Sequence, residues 1–440
     1  MITDSQLPEL RTLRAAERNL PVVRDDTLGA LVSPQANELT PVHRWFRFKE
    51  SFSPAFVRRI VGEAAHETGN GVRLLDPFCG VGTTLLAAQN NNGIAVSATG
   101  IEYNPFIHFV AQTKAHWMRL DPAALIAAGE RALAVPPTGI SLPQTTSILS
   151  ERCVSRHVAR RLVAIREHIM SHAGEGTRSG LLLGVAAAIE SLSRTRKDGR
   201  ALRLVHRARP DVGAALRFRW GVMADDLLFM QATRASLTPP LVLRGDGRAP
   251  SALGLLPDSY DLILTSPPYP NNIDYTEVYK LELWLLDLVR SPSEFLELRR
   301  HTLRSHPTIV RKEPAMEFLA EVQSGSLRKL LWPLIERTSR MRKGWRARLL
   351  LGYFEDLYQS LREYLVLLRP GGRGVFVVGN SLHGGSENPY LIPTDLILAE
   401  LGRRCGFELT DITVARGLRR RLASNHFLRE SVVTLRKPNG

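Results

Sequence analysis

The chain has 440 residues, 44% of them apolar, and 58 basic against 43 acidic side chains give a net charge of +15. That fits one large elaborated domain or two to three ordinary ones with a real core, and no apolar run approaches the length of a membrane span. The positive excess points to a polyanionic partner, because each phosphate neutralised by Lys or Arg releases counterions; a genome rich in Arg codons is the competing explanation. Cys79, Cys153 and Cys405 have no metal-ligand spacing and cannot pair completely, so a reducing compartment and no metal site are expected. The start, Met1-Ile-Thr-Asp-Ser5, has neither a charged head nor an apolar stretch, so no secretion signal is expected and the cytoplasm is the expected location.

Taken in chain order, residues 1–38 are mixed and polar and read as an arm or leader. Phe52-Ser53-Pro54 starts a helix to about Glu67, with Ser53 as N-cap and Pro54 at the first helical position. Val72 to Asp76 is an apolar strand, and Gly80 and Gly82 form a loop after it. Thr83 or Thr84 then opens an Ala- and Leu-rich helix. Glycines allow a backbone to approach a ligand, and helix N-termini present free amides to it. Ile94 to Ile101 is the next strand, ending at Glu102, the right distance after the glycine loop to hold a ribose hydroxyl pair; capping of the following helix is the bland alternative.

From Phe106 to about Ser236 the chain reads as helical, with a basic loop at Arg194, Arg196, Lys197 and Arg200. Strands resume at Leu241, ending in Asp246, and at Tyr260 to Leu264, which runs into Thr265-Ser266-Pro267-Pro268-Tyr269. Three strand-helix steps from Asp76 to Thr265 need roughly 90 residues. The chain spends about twice that, so much of the intervening block is an insertion. A helix from Asp274 to Val289 precedes a second basic helical block, about 290–348, with Arg342, Lys343 and Arg346 around Trp345. A helix to Leu368, the Pro370-Gly371-Gly372 turn, a strand from Gly374 to Val378 and a loop from Gly379 to Tyr390 follow. Then come a helix from Thr394 to Cys405, a strand from Phe407 to Val414, the basic stretch with Arg419, Arg420 and Arg421, and a last strand from Ser431 to Leu435.

Together these stretches resemble the S-adenosylmethionine-dependent amino methyltransferases of DNA, the N4-cytosine and N6-adenine enzymes. Asp76-Pro77-Phe78-Cys79-Gly80-Val81-Gly82-Thr83-Thr84 is similar to their cofactor loop, and Thr265-Ser266-Pro267-Pro268-Tyr269 to their catalytic motif in its Ser form, associated mainly with N4-cytosine enzymes. The resemblance implies that Glu102 holds the ribose hydroxyls, Asp246 contacts the adenine amino group, and Phe52-Ser53-Pro54 closes over the methionine part. It implies an α/β fold: a Rossmann-like class I methyltransferase sheet, seven-stranded, mostly parallel and doubly wound, with helical insertions. The core would comprise 39–110, 237–289 and 349–440, and the insertions 111–236 and 290–348 would bind DNA. Many Ser-Pro-Pro enzymes carry the catalytic motif before the cofactor loop; here the cofactor loop comes first, an order also used by some RNA methyltransferases.

An exocyclic base amine is a poor nucleophile because its lone pair is delocalised into the ring. Ser266 and the Pro267 carbonyl are suitable acceptors for its hydrogens, with Pro267 and Pro268 fixing the direction of that carbonyl. Tyr269 would stack on a flipped base, and Lys and Arg of the insertions would offset the flipping cost through phosphate contacts. The expected activity is therefore N4-cytosine methylation in a specific duplex DNA sequence. The alternatives are N6-adenine methylation, RNA base methylation and a non-catalytic nucleic-acid-binding protein with this fold. Expected partners are double-stranded DNA and a cognate restriction endonuclease, the chain being a monomer or dimer.

Overall fold

The computed structural model describes residues 7, 9–69, 71–89, 93–142, 153–198, 202–206, 208–233, 238–271, 273–306, 313–341, 344–384, 388–418 and 425–439. Its strands are β1 (Val22–Arg24), β2 (Val72–Asp76), β3 (Val96–Glu102), β4 (Thr195–Lys197), β5 (Leu202–Leu204), β6 (Leu241–Arg244), β7 (Tyr260–Thr265), β8 (Leu368–Gly379), β9 (Ser381–His383), β10 (Tyr390–Ile392), β11 (Glu408–Gly417) and β12 (Arg429–Arg436). Eight of them form one sheet in the order β6-β3-β2-β7-β8-β12-β11-β1. Pairing is parallel from β6 to β8, and β12 runs antiparallel to both its neighbours. Numbered from β2, the core strands lie in the order 3-2-1-4-5-7-6, the class I methyltransferase sheet. The order reverses between β2 and β7, and open α/β sheets bind ligands at such a switch point.

Period-two alternation buries both faces of this sheet, which is why its strands read as apolar runs. Leu74, Leu262, Leu264, Val375 and Val377 pack under the helices Pro54–Thr68 and Thr83–Gln89. Leu75, Ile263, Phe376 and Val378 point the other way, onto the helices Trp345–Leu367 and Thr394–Cys405. Full burial of one such side chain contributes about 1.5–3 kcal/mol.

Several expectations are revised. The segment expected as an arm is part of the core: Leu7, Leu10 and Leu13 are buried, and β1 extends the sheet by pairing with β11. Glu9 locks it there, accepting from the Leu391 amide at 2.9 Å and from Arg337 at 2.9 Å. The basic loop near Arg196 is the β4–β5 hairpin, and the stretch after Gly379 is the β9–β10 hairpin. The helix expected over 274–289 is two short ones, Tyr275–Val278 and Lys280–Leu285. The boundary expected at residue 110 falls inside the helix Pro105–Ala115, which packs on β3 and β6 as a crossover of the core.

The first insertion is a helical bundle of Pro122–Ala134, Arg156–His172, Glu175–Leu192 and Val212–Thr233 with its own apolar centre. Trp220 lies against Gly184, where a Cβ would come within 2.3 Å of the indole, and its Nε1 donates to the Leu181 carbonyl at 3.1 Å. Asp226 ties the bundle to the chain before the glycine loop, accepting from the Val42 amide at 2.9 Å, Arg44 at 2.6 Å and Trp45 at 2.9 Å. The second insertion divides: Phe295 and Leu298 join this bundle, whereas Phe318, Val322 and Leu327 join the sheet core.

Candidate active site

The carboxyl ends of β2, β3, β6 and β7 and the loops after them surround a cavity of about 950 Å³, counted to its open mouth. β2 ends at Asp76, whose carboxylate accepts from Thr84 at 2.5 Å, Thr265 at 2.7 Å and the Phe78 amide at 3.1 Å. One buried side chain thus joins the glycine loop to the end of β7. Burial nevertheless pushes the Asp76 carboxyl up to about 6, against the pull of those hydrogen bonds. Gly80 (φ +52°) and Gly82 (φ +84°) take left-handed turns that favour glycine. A Cβ on Gly80 would also come within 3.2 Å of the Phe48 ring.

β3 ends at Glu102, one of whose oxygens accepts from the Asn104 amide at 2.8 Å. With no cation among the influences on it, burial raises its carboxyl to about 7. The Asn104 side-chain oxygen caps the next helix, accepting from the amides of Phe106 at 3.0 Å and Ile107 at 3.3 Å. Its amide nitrogen is buried with no partner among the described residues.

Of the residues expected to bind cofactor, Phe52, Asp76, Pro77, Phe78, Gly80, Thr83, Thr84, Glu102 and Asp246 line the cavity. Ser53, Gly82 and Thr265 do not. Ser53 caps the helix Pro54–Thr68 by accepting from the Phe56 amide, and Thr265 acts through Asp76. From this segment the serine that reaches the wall is Ser51, which donates to Thr83 at 2.9 Å. Asp246 is already engaged by Arg248, with contacts at 2.6, 2.9 and 3.0 Å.

From the catalytic motif, Ser266 and Pro268 line the cavity, whereas Pro267 and Tyr269 stand behind them. Ser266 donates to the Tyr269 hydroxyl at 3.3 Å, which donates to Glu430 on β12 at 3.0 Å. Residues no motif indicated also reach the wall: Phe48, Glu50, Asn104, Tyr275, His301 and Thr302. Glu50 and Ser51 adjoin the Phe52-Ser53-Pro54 stretch, so adjacency to that motif was an available signal. His301 and Thr302 come from the second insertion, where no sequence pattern marked them.

The wall carries the carboxyls of Glu50, Asp76, Glu102 and Asp246, and no Lys or Arg among its described residues. That balance suits a cationic ligand and disfavours the pyrophosphate of a dinucleotide, whose sites supply positive charge or helix amides. S-adenosylmethionine, with its sulfonium, ribose and adenine, fits this lining: the Glu102 carboxyl in the wall can accept from hydroxyls, and the buried Asn104 amide nitrogen is an unused donor among the described residues.

The basic residues separate into two kinds. Arg194 and Arg196 are exposed on the β4–β5 hairpin, whereas Lys197 is buried. Its ammonium sits 2.5 Å from Glu282, 4.5 Å from the Tyr279 ring centroid and 4.9 Å from that of Phe46, so it is an interior ion pair rather than a phosphate contact. Arg346 is half-buried, stacked 4.7 Å from the Trp345 ring. Much of the charge of the second block is neutralised internally: Arg299 meets Asp274 at 2.6 Å, and Arg304 meets Glu355 at 2.6 Å and Asp356 at 2.7 Å. Arg200, Arg342, Lys343, Arg419, Arg420 and Arg421 lie outside the described residues. Among the described residues there is no cluster of metal-ligating side chains and no helix long and apolar enough to cross a membrane.

No family model matches the chain. Over 425 residues it is 28% identical to the Type II methyltransferase M.AvaI of Nostoc sp. (strain PCC 7120), covering 87% of this chain and 83% of the relative. It is 24% identical to the Type II methyltransferase M.BsoBI of Geobacillus stearothermophilus, covering 91% of this chain and 86% of that one. Among solved structures, the TTHA0409 protein of Thermus thermophilus, complexed with S-adenosyl-L-methionine, is 25% identical over 20% of this chain and 38% of that one, with a TM-score of 0.18. A likeness at that score carries no weight beside the two relatives.

Proposed function

We propose that the chain is a DNA methyltransferase that uses S-adenosylmethionine to methylate the exocyclic N4 of cytosine within a specific duplex sequence, the target base being flipped out of the helix. The observation that carries this reading is the placement of Ser266 and Pro268 in the wall of the same cavity as Glu102 and the glycine loop. The two relatives named Type II methyltransferases support the coarser part, and the Ser-Pro-Pro motif supports cytosine N4.

Asp246, Glu102 and Asn104 would hold the nucleoside end of the cofactor, and Phe52, Phe78 and the Gly80 turn its methionine end. When bound, S-adenosylmethionine supplies a methyl group made electrophilic by the sulfonium. The chain's part is to accept hydrogen bonds from the base amine through the Ser266 oxygen and the Pro267 carbonyl, so that the nitrogen lone pair localises towards the methyl group. The methyl carbon would pass to the amine nitrogen, the N–C bond forming as the S–C bond breaks and the thioether leaving. The methylated amine is then acidic enough to lose its proton to water, so no strong general base is needed. Asp76 fixes the distance between the two halves of the site, because Thr84 and Thr265 share its carboxylate. The exposed Arg194 and Arg196 are suited to DNA phosphates. As part of a Type II system, the enzyme would act beside a restriction endonuclease recognising the same sequence.

The test is mass spectrometry of nucleosides from duplex DNA treated with the protein and S-adenosylmethionine. N4-methylcytosine is expected. N6-methyladenine would move the target to adenine, methylation confined to tRNA or rRNA would move it to RNA, and failure to bind cofactor by calorimetry would point to a non-catalytic binding protein.

A further inference from the structure

We infer that Glu430 is a positioning residue for this transfer: it sets the direction of the hydrogen-bond chain Ser266–Tyr269–Glu430, so that the Ser266 oxygen meets the base amine as an acceptor only. The inference rests on the reading under Proposed function and adds a residue from β12, remote in sequence from every motif.

Glu430 is 6% exposed and sits on β12 opposite Gly379 of β8 and Arg416 of β11. One of its oxygens accepts from the Tyr269 hydroxyl at 3.0 Å, and the other accepts from Arg416 Nε at 2.7 Å. The Tyr269 oxygen in turn receives the Ser266 hydroxyl at 3.3 Å. An ionised carboxylate can only accept. The single Tyr269 proton is therefore committed to Glu430, and the Tyr269 oxygen is left to accept from Ser266. That commits the single Ser266 proton as well, and only lone pairs remain for the substrate. Without Glu430 both hydroxyls can rotate, and Ser266 can turn its proton towards the amine, opposing the localisation of the nitrogen lone pair.

The surroundings hold this arrangement. A Cβ on Gly379 would come within 2.7 Å of Tyr269 Cε2, so the ring lies directly on the backbone of β8. Among the described residues, the charged and titratable groups facing Glu430 are Arg416 from β11 and Tyr269 from the loop after β7; Gly379 from β8 adds none. Burial raises the Glu430 carboxyl, while Arg416 and the Tyr269 hydrogen bond oppose that rise and favour the ionised form.

The experiment compares full-length wild type with Tyr269→Phe, Glu430→Gln, the double variant and Arg416→Met in single-turnover methylation of duplex DNA. Cofactor affinity by calorimetry and far-UV circular dichroism serve as controls for folding. Tyr269→Phe and Glu430→Gln should each slow transfer by roughly 10- to 100-fold, as expected for a misplaced acceptor, with cofactor Kd within threefold. The double variant should be no worse than the slower single variant, because both break one chain. In wild type the rate should fall as pH drops through the Glu430 pKa. That limb should move to higher pH in Arg416→Met, which loses the positive neighbour, and vanish in Glu430→Gln. Should Glu430→Gln misfold, Tyr269→Phe, which removes one oxygen atom, decides the matter. Wild-type rates in Tyr269→Phe, or losses that multiply in the double variant, would overturn the inference alone. A wild type that binds cofactor but methylates no nucleic acid would overturn the function reading and this inference with it.

Discussion

On the β2–β3 side of the cavity, half-buried Glu102 has no cationic partner, and loss of solvent, with the nearby Asp76 carboxyl adding to it, raises its carboxyl to about 7. On the β7 side, Glu430 is more deeply buried, is paired with Arg416 and closes a chain that begins at Ser266. Both carboxyls sit at the carboxyl edge of one sheet. The first accepts only from backbone amides and faces the cavity; the second is held by side chains of the protein and, on the proposal above, preorganises an acceptor. On the proposed function, the contrast would assign affinity to one side and rate to the other. Asp76, bonded to Thr84 and Thr265, joins the two.

The sharpest break of this division is Ser266→Ala. Removing the acceptor should lower turnover by about 100-fold or more while cofactor Kd, measured by calorimetry, stays within a few-fold. Equal loss of both would mean that the motif is structural. Next is Glu102→Ala, which should weaken cofactor binding by roughly 100-fold, the scale of one or two hydrogen bonds to a charged acceptor. Its turnover at saturating cofactor should suffer far less.

A smaller effect sharpens the comparison through pH. Because the free Glu102 carboxyl titrates near 7, and donors from a bound ribose favour its ionised form, cofactor affinity should rise with pH through that value. Binding below it should release protons. Calorimetry in buffers of different ionisation enthalpy reads this directly, and the trend should flatten in Glu102→Gln. Smallest of all, Arg196→Ala should cost DNA affinity a few-fold and reduce the salt slope by about 0.9 if it meets one phosphate. Stability should be unchanged, since the side chain is exposed. Its neighbour Lys197 behaves oppositely: Lys197→Met strands the buried Glu282 and should cost about 3–5 kcal/mol of folding stability in thermal or urea unfolding.

What the sequence revealed follows from how local each signal is. The loop from Asp76 to Thr84, Glu102 at the end of its strand, and Thr265 to Tyr269 are contiguous runs, and their strand-loop-helix context is itself written in apolar periodicity. The class of sheet followed from the resemblance those runs carry; the strand order came from the structure. Glu430 and Asn104 were illegible as site residues because their roles arise from pairing across strands or from an orphaned amide. His301 and Thr302 reach the cavity from a helical insertion whose packing no local pattern foretells. The N-terminal segment misled for a related reason: Leu7, Leu10 and Leu13 are too few to stand out in a polar stretch, yet the fold buries all three. Lys197 misled because charge in a basic run says nothing about which side chain turns inward. Arg194 and Arg196 stay outside, while the alternation of β4 sends Lys197 to Glu282.

The division between affinity and rate is tested most directly by measuring cofactor Kd and the single-turnover methylation rate on duplex DNA for Glu102→Ala and Tyr269→Phe side by side. The account predicts crossed results: a large loss of affinity with a nearly normal saturated rate for Glu102→Ala, and a normal affinity with a slowed rate for Tyr269→Phe. Parallel losses of affinity and rate in both variants would contradict it.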